Sequence, residues 1–409
     1  MAGDDTLTGP SIREALARLL DSVRPITETC AVDWTEAYGR VLASDVAAPF
    51  PVPPFARSAM DGYAVRCADV AEAATETPAR LAVTGERMAG DGERAVLTPG
   101  TAIRVATGAP VPEGCDAVIK QEHTDRGKES VAIYRSAAQN ENVCASGEDI
   151  QSGAIVLHAG ERVGRTELGL LASLGMNSVE VRRAARVALL STGSELMRAG
   201  SELPQGKIYD SITPMLCASV REIGLEVTLR ELCGDDPSAL KTVLRRAATC
   251  SDLIVTTGGV SVGKRDLIPV VLAELGANVL FHRARVKPGS PTMGSVLNGV
   301  PVLSLSGNPY AALANFDWYF YPAAAKLMGC EALNTEEADC IAAEGYDKAS
   351  PMCALLRARE AGGRVTFPAA NHKASVISNL TECNCYLVLP PNTVIRSGDT
   401  VHIRRMKVM

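Results

Sequence analysis

The stretch DLIVTTGGVSVGKRD, residues 252–266, joins a short apolar run to a loop rich in glycine and hydroxyl side chains. It lies within residues 186–329, where runs typical of strands alternate with patterns typical of helices. Strands that alternate with helices in this way predict a parallel sheet with helices on both faces. Because ligands bind outside the carboxyl ends of the strands in such a sheet, the loop after LIVTT is a candidate binding site.

Proline marks the predicted starts of three helices in this section. Thr213-Pro214 and Asp236-Pro237 each place a capping residue before a proline at the first helical position, and Asn308-Pro309 repeats the arrangement. The strands are expected over VALLST, EVTLREL, DLIVTT and VPVLSLS. The section therefore predicts an α/β domain.

The sequence on both sides of this section has a different character. Residues 11–24 carry apolar side chains at helical spacing, with Ser11 as a candidate N-cap. Short β-type runs fill residues 51–144, and a second set follows a polar stretch at residues 334–344. We therefore predict a multidomain protein of α/β and β class, whose parts are a connecting domain (1–45 and 145–181), a small β-rich domain (46–144), the α/β domain (182–330) and a C-terminal β-domain (331–409).

The composition excludes several classes of protein. The chain has 409 residues, of which 46% are apolar and 22% charged, so it is long enough for two to four globular domains. Its net charge of −6 argues against nucleic acid as the main partner. No run of 18 apolar residues occurs and the N-terminus opens with acids, which predicts a cytoplasmic protein without a membrane span.

The 12 cysteines are scattered and include no CxxC pair, so neither a zinc site nor a disulfide scaffold is predicted. A metal site at Cys383, Cys385 and His372 stays open as the less favoured alternative to a packed strand. Most of the cysteines are expected to be reduced residues of the core.

Three loops are predicted to follow strands of the α/β domain at one edge of its sheet. They are STGSEL (191–196), TTGGVSVGKRD (256–266) and SGNPYAA (306–312). Their glycines let the backbone approach a ligand and turn N–H groups toward an anion, and a helix that begins at Asn308-Pro309 adds a partial positive charge. None of the three matches the P-loop or the GxGxxG dinucleotide motif. The loops therefore predict an anion cradle of another type.

Acidic residues lie in the same loops, where they would repel a phosphate. Glu195, Asp235 or Asp236, and Asp266 all fall near predicted strand ends. A bound Mg²⁺ would resolve the repulsion, since this ion is held by one or two carboxylates together with phosphate oxygens of the substrate. The alternative is that Asp236 and Asp266 only cap the helices that follow them.

Three further residues are candidates on weaker grounds. Lys287 in RVKPGSPTMG is fixed by the following Pro288 and Gly289 and is suited to bind a phosphate or another oxyanion. Asp61 in PPFARSAMDGYAV and Thr107 in TGAPVPEGCDAVI lie in turns of the β-rich section. Without other information, turns that only connect strands are the favoured explanation for both.

The motifs together resemble the molybdopterin molybdenumtransferase family, which includes bacterial MoeA and the gephyrin E domain. The resemblance rests, in the family's order and spacing, on PPFARSAMDGYAV, TGAPVPEGCDAVI, STGSEL, GKIYDS, TTGGVSVGKRD, VKPGSP and SGNPYAA. It implies a four-domain protomer that dimerises, an α/β domain like that of molybdopterin adenylyltransferases, and a C-terminal β-barrel. It also implies an active cleft formed by the α/β domain of one subunit and the β-domain of the other.

The resemblance further implies a reaction and roles for residues. Adenylylated molybdopterin and molybdate are the implied substrates, and Mg²⁺-dependent cleavage of the adenylate releases AMP. The implied catalytic residues are Asp61, Thr107, Glu195, Asp266 and Lys287, and the implied metal ligands are Glu195, Asp235 and Asp266. The implied substrate-binding residues are Gly193, Ser194, Asp210, Ser211, Asp235, Thr257, Gly258, Gly259, Ser261, Gly263, Pro288, Ser306, Gly307, Asn308, Pro309, Arg357 and Ser378.

Four positions depart from the family pattern. Ser290 replaces the second lysine of KPGKP, Cys144 an arginine, Ile212 an asparagine, and Cys383-Asn384-Cys385 the usual ANG. Because a hydroxyl cannot replace the charge of lysine, we expect weaker oxyanion binding. Three hypotheses stay open: a transferase that uses molybdate or tungstate, a related adenylyltransferase, and a non-catalytic scaffold that binds molybdopterin.

Overall fold

The computed structural model describes residues 9–261, 266–368 and 373–407. Contacts divide the chain into two compact units. The larger unit comprises Met1–Ser44, Ala159–Leu168 and Asn177–Met409, and the smaller unit comprises Asp45–His158 and Gly169–Met176. The finer division into four domains stays a prediction.

The larger unit begins with the helix predicted at residues 11–24, which is confirmed as α1 (Ile12–Ser22). A capping box fixes its start, because the Ser11 side chain accepts from the Glu14 N–H while the Glu14 carboxylate accepts from the Ser11 N–H (3.2 and 2.7 Å). The first strand, β1 (Thr29–Asp33), follows.

The smaller unit is rich in strands, as the short apolar runs predicted. A five-stranded sheet of order β7-β4-β6-β5-β8 is its main element, and two short pairs, β2 with β10 and β3 with β9, accompany it. The strands are β2 (Val46–Ala47), β3 (Arg57–Ser58), β4 (Gly62–Val65), β5 (Ala79–Arg87), β6 (Thr101–Val105), β7 (Ala117–Lys120), β8 (Ser130–Ile133), β9 (Val143–Cys144) and β10 (Ile155–Leu157). Helix α2 (Arg165–Ser173) contains one of the four chain positions at which the two units are divided, between Leu168 and Gly169.

The α/β part of the larger unit contains the alternation of strands and helices that the sequence predicted. Before it, β11 (Ser178–Arg182) pairs antiparallel with β1. The remaining elements are β12 (Arg186–Thr192), β13 (Leu196–Met197), β14 (Ile208–Tyr209), α3 (Ile212–Glu222), β15 (Glu226–Cys233), α4 (Pro237–Cys250), β16 (Leu253–Thr257), α5 (Leu267–Glu274), β17 (Asn278–His282), β18 (Val286–Lys287), β19 (Met293–Leu297), β20 (Val300–Leu305) and α6 (Pro309–Met328).

The central sheet has the order β15-β12-β16-β20-β19-β17. Its first four strands are parallel, whereas β19 and β17 add as an antiparallel edge. Successive strand residues face opposite sides: Val187 and Leu189 join a core with α1, α3 and α6, and Ala188 and Leu190 join a core with α4 and α5. Helices therefore cover both faces, as predicted, and the antiparallel edge was not anticipated.

Two of the three predicted helix starts are confirmed. Asp236 is the N-cap of α4 and Asn308 the N-cap of α6, each followed by proline. The start predicted at Thr213-Pro214 is wrong, since α3 begins at Ile212. The cause is Asp210, whose Oδ1 accepts from the N–H groups of Ile212 and Thr213 (both 3.1 Å) and so starts the helix earlier. Proline, which lacks an N–H group, is tolerated at the third helical residue because an N–H at that position would have no partner within the helix.

A closed five-stranded barrel ends the chain, in agreement with the implied C-terminal barrel. Its strands are β21 (Glu337–Ala342), β22 (Cys353–Ala361), β23 (Arg364–Thr366), β24 (Cys385–Leu389) and β25 (Thr400–Arg405). The order β22-β23-β21-β25-β24 closes by pairing β24 with β22, and β18 adds parallel to the start of β22. Strand β21 lies in the stretch that was predicted to be a polar connection.

No helix among the described residues is long and apolar enough to cross a membrane.

Candidate functional site

The three predicted loops meet at the carboxyl edge of the central sheet. The loop after β12 is joined to the end of β15 by a hydrogen bond from Gly193 N–H to the Cys233 carbonyl (3.1 Å). The loop after β16 is joined to the end of β20 by a hydrogen bond from Gly258 N–H to the Leu305 carbonyl (3.0 Å). Gly258 also lies close to the Thr192 carbonyl and to Gly307, so the three loops form one continuous backbone surface.

Close approach explains the glycines of this surface. Gly258 has a φ of +82°, and a Cβ there would lie 2.3 Å from the Thr192 carbonyl oxygen. A Cβ at Gly307 would lie 3.4 Å from the Cα of Gly258. A side chain at position 258 would therefore separate the loops as well as strain the backbone.

Hydrogen bonds from hydroxyl side chains connect the strand ends beneath the loops. Ser191 and Thr257 share a hydrogen bond between their hydroxyls (2.9 Å), and Ser191 bonds in turn to the Thr213 hydroxyl of α3. The Thr192 hydroxyl donates to the Thr257 carbonyl (3.3 Å). Since all of these side chains are buried, they fix the geometry of the loops.

The acidic residues follow adjacent strands at the same edge. The Glu195 carboxylate folds back over its own loop, so that a Cβ at Gly193 would lie 2.7 Å from it. Asp235 follows β15, and Asp266 holds the N-cap position of α5 without a capping side-chain hydrogen bond. Asp236 instead caps α4 by accepting from an N–H of its first turn (2.9 Å). A side-chain hydrogen bond thus supports the capping alternative for Asp236, whereas for Asp266 both interpretations stay open.

In the part of the chain that the structure describes, no three His, Cys, Asp or Glu side chains converge on a common metal position. The donors at the edge are carboxylates, which suit a hard cation such as Mg²⁺. An ion held by one or two of these carboxylates and by phosphate oxygens of a substrate fits this arrangement better than an all-protein cage.

Asp210 and Ser211 lie beside the loops at the start of α3. Asp210 is buried and is committed to the helix through its two backbone hydrogen bonds. It lines a cavity of about 360 Å³ to which Arg198 and Arg230 also contribute. The substrate contact expected of Asp210 and Ser211 stays a prediction.

Lys287 lies at a second cavity, of about 510 Å³, in the larger unit. We call it the lysine cavity; its lining residues are Lys287, Pro288, Tyr310, Tyr346, Lys348, Ala349, Ser350, Ala354, Leu355, Leu356, Lys373 and Ala374. Tyr310 belongs to the first turn of α6, which follows the loop of Ser306, Gly307 and Asn308. Lys348 and Lys373 were not predicted, because single lysines in loops carry no motif.

Arg357 is fully buried next to this cavity. It donates to the carbonyls of Lys373 (2.7 Å) and Val376 (2.8 Å) and to the Asn379 side chain, and it stacks on Tyr310 at 3.7 Å. Burial lowers the pKa of its guanidinium. Arg357 therefore holds the segment that carries Lys373 in place. Direct contact of Arg357 with an oxyanion stays a prediction.

Ser378 is exposed and begins a short 3-10 helix, Ser378–Glu382. Its proposed contact with an oxyanion is an untested prediction.

In the smaller unit, Asp61 and Thr107 are brought together. Asp61 Oδ1 accepts from the Thr107 N–H (2.7 Å) and from its hydroxyl (2.9 Å). These two bonds, the backbone one foremost, lower the pKa of Asp61, and its carboxylate is therefore charged at neutral pH. The two turns are thus joined by a hydrogen-bonded pair that carries one negative charge. The sequence alone did not reveal this pairing.

Two predictions fall outside the described residues: the binding role of Gly263 and the participation of His372 in a metal site. The partners proposed for His372, Cys383 and Cys385, are both buried. Burial raises the pKa of both thiols, that of Cys385 to about 12, which favours the packed-strand alternative.

The four departures from the family motifs have different surroundings. The Ser290 carbonyl accepts from the N–H groups of Ala284 (3.0 Å) and Thr292 (2.7 Å), so its backbone shapes the turn after Lys287. Cys144 lies in β9, Ile212 opens α3, and Cys385 opens β24.

Comparison with protein families gives three matches that follow each other along the chain. The MoeA N-terminal region (domain I and II) matches residues 10–175, a probable molybdopterin binding domain matches residues 188–326, and the MoeA C-terminal region (domain IV) matches residues 340–404. The three glycine loops all lie within the second match.

Curated relatives match over most of the chain. A molybdopterin molybdenumtransferase of Staphylococcus epidermidis is 33% identical over 96% of this chain and 94% of its own, and that of Bacillus subtilis is 34% identical over 92% and 89%. Molybdopterin molybdenumtransferase 2 of Mycobacterium tuberculosis is 39% identical over 78% of each chain. Among solved structures, the molybdopterin biosynthesis MoeA protein of Pyrococcus horikoshii OT3 matches with a TM-score of 0.83 and 31% identity, over 98% of this chain and all (100%) of its own.

Proposed function

Because the chain belongs to the molybdopterin molybdenumtransferase family, we propose that it inserts molybdate into adenylylated molybdopterin and releases AMP. Such a protein serves molybdenum cofactor biosynthesis. The observation that carries the proposal is the continuous backbone surface at the sheet edge, where three glycine loops interlock within the match to a molybdopterin binding domain.

This surface is suited to a ligand with several phosphate oxygens. The loops at Gly258 and Ser306 bring backbone close to the edge without side chains, and α6, 20 residues long, directs its positive N-terminal end there. Fixed donors of this kind lose no free energy of reorganisation when charge develops on a phosphate oxygen. Lys287 adds a mobile charge for an oxyanion.

The carboxylates of Glu195, Asp235 and Asp266 are the residues that would hold Mg²⁺. When bound, the ion would supply charge neutralisation and polarisation of the phosphoanhydride. The negative charges of the carboxylates would repel a phosphate group that has no bound cation beside it. The Asp61–Thr107 pair is proposed, from the family resemblance, to approach the ligand from a second copy of the chain in a homodimer.

AMP release tests the proposal directly. The purified protein is incubated with adenylylated molybdopterin, Mg²⁺ and either molybdate or tungstate, and AMP is quantified. Oxyanion-dependent AMP is the expected result, and the two oxyanions in parallel distinguish a molybdenum from a tungsten enzyme. AMP that appears equally without either oxyanion would contradict the proposal.

Glu195→Gln removes the charge of one proposed metal ligand and preserves its size. We expect a loss of AMP release of about 100-fold, because a carboxylate bound to a cation is replaced by a neutral amide. Glu202→Gln is the matched control, since Glu202 is exposed and belongs to none of the three loops. Equal activity of both variants would exclude Glu195 from the site.

A further inference from the structure

The lysine cavity collects positive charge from three separate segments of the larger unit. Lys287 ends β18, Lys348 lies between β21 and β22, and Lys373 precedes the 3-10 helix at Ser378–Glu382. Among the described residues that line the cavity, none is acidic. The cavity therefore has three cationic side chains, although position 290 carries serine where the family has a lysine.

Neighbouring carboxylates do not neutralise the charges of Lys287 and Lys348. In the described part of the chain, neither Lys287 nor Lys348 is within ion-pair distance of a carboxylate. Asp347 precedes Lys348 in sequence, but its side chain does not line the cavity. A concave site lined by one sign of charge concentrates ions of the other sign.

Each lysine lies on or next to a backbone segment that is hydrogen-bonded to another part of the larger unit. Lys287 pairs with Ala354 of the barrel. The Lys373 segment is fixed by Arg357, which donates to the Lys373 carbonyl, and by Tyr310, whose N–H donates to the Ala374 carbonyl (3.0 Å). Lys348 is two residues from the buried Ser350, whose carbonyl accepts from the Asn392 N–H (2.6 Å).

The first turn of α6 adds to the field of the lysines. Tyr310, its second residue, lines the cavity. The Tyr310 N–H already donates to the Ala374 carbonyl, so the helix contributes to the cavity through the partial positive charge of its N-terminus and not through this donor. The apolar part of the lining, from β22, lowers the local dielectric constant and strengthens both effects.

We propose that Lys348 and Lys373 complete, with Lys287, a binding site for a tetrahedral oxyanion of two negative charges. The proposal rests on the proposed function, in which such an ion is either molybdate or a phosphate group of the nucleotide substrate. It assigns binding residues that the family motifs did not indicate.

The test is a calorimetric titration of the full chain with sodium molybdate and, separately, with inorganic phosphate, at low ionic strength. Lys348→Gln and Lys373→Gln are each expected to weaken oxyanion binding about tenfold, since each removes one charge-assisted hydrogen bond. Lys348→Arg and Lys373→Arg, which retain the charge, are expected to keep most of the affinity. Lys128→Gln, an exposed lysine of the smaller unit, is the matched control and is expected to bind like the unaltered chain.

AMP release is measured on the same variants, and thermal unfolding curves confirm that they are folded. Loss of molybdate affinity supports a subsite for the metal oxyanion, and loss of phosphate affinity alone supports a subsite for the substrate phosphate. Unchanged affinities in both glutamine variants would overturn the inference, and AMP release by the unaltered chain would then show that the transferase proposal survives it. Lysine-dependent binding without AMP release would retain the oxyanion site and remove the transferase proposal.

Discussion

Asn315 is a fully buried amide that ties the segment after Lys287 to helix α6. Its Nδ2 donates to the carbonyls of Pro288 (2.9 Å) and Ala311 (2.8 Å). Gly289 has a φ of +90°, and a Cβ there would lie 2.1 Å from that nitrogen. A single atom added at position 289 therefore competes with the amide for the same space.

Gly289→Ala is expected to lower the free energy of unfolding by about 2–4 kcal/mol, because the Asn315 amide must move and lose its hydrogen bonds. Gly299→Ala is the matched control: its φ is +84° but no atom lies within 4 Å of a Cβ, so only the backbone strain of about 1–2 kcal/mol remains. Urea unfolding measures both. Equal losses in the two variants would mean that the close contact with Asn315 has no energetic effect.

A second check uses the coupling between the two positions. In an Asn315→Ala background, Gly289→Ala should cost much less than in the unaltered chain, because the competing amide is absent and only the Ala311 carbonyl oxygen stays close to the Cβ, at 3.3 Å.

At the scale of elements, His402 of β25 bridges two carboxylates of the neighbouring strand β21. Its Nδ1 lies 3.0 Å from Asp339 Oδ1 and its Nε2 lies 3.0 Å from Glu337 Oε2. Only the doubly protonated ring donates from both nitrogens. The hydrogen bond to Asp339, followed by that to Glu337, raises the pKa of His402, while its partial burial opposes the shift.

A histidine whose pKa is raised by folding stabilises the protein fully below its ordinary pKa and loses this contribution as the pH rises through the folded value. Arg404, also on β25, faces the same Glu337 (3.6 Å) but stays charged throughout this range. His402→Gln is therefore expected to lower the melting temperature at pH 6 by about 1 °C, since the pair is partly exposed, and by less above pH 8.

Calorimetric melting of the full chain from pH 5.5 to 8.5 measures this difference. His158→Gln is the control, because that ring lies 3.7 Å from a single carboxylate in the smaller unit. A deficit of His402→Gln that grows with pH would contradict the assignment.

Sequence patterns located most elements, and the exceptions have physical causes. Proline after a capping residue fixed the starts of α4 and α6, but for α3 the same signal was overridden by Asp210, which caps from two residues earlier. Strand β21 was missed because Glu337 and Asp339 lie at exposed positions in its first half, where they interrupt the apolar residues of the strand. The antiparallel edge of the sheet had no local signal, since strand direction depends on pairing.

The candidate site likewise has features that the sequence predicted and features that it did not. Glycine loops were predictable, because backbone that must approach a neighbour closely excludes Cβ atoms wherever it occurs. The burial of Arg357 and the convergence of Lys348 and Lys373 depend on how distant segments pack, and no spacing in the sequence encodes them.

At the scale of the whole molecule, the family resemblance predicts that each active cleft draws residues from two chains. Asp61→Ala and Asp266→Ala alter the smaller and the larger unit, respectively. If the cleft is shared, a mixed dimer has one intact cleft of two, so random mixing should recover about a quarter of the unaltered activity. If each cleft lies within one chain, every cleft in the mixture is damaged.

The two variants are unfolded together, refolded as a mixture and assayed for AMP release, beside each variant refolded alone. The two variants carry different affinity tags, so that co-purification through both tags establishes that mixed dimers are present. No recovery in a mixture shown to contain mixed dimers would reject the shared cleft.

Strand β18 is only two residues long, yet it pairs the Lys287 segment with the first residues of barrel strand β22. The backbone of β18, which presents Lys287 to the lysine cavity, therefore also joins the barrel to the α/β part of the larger unit. A chimaera that exchanges only residues 331–409 would replace β22 and leave its partner β18 behind. Transfer of this barrel to another protein would therefore have to include residues 286 and 287.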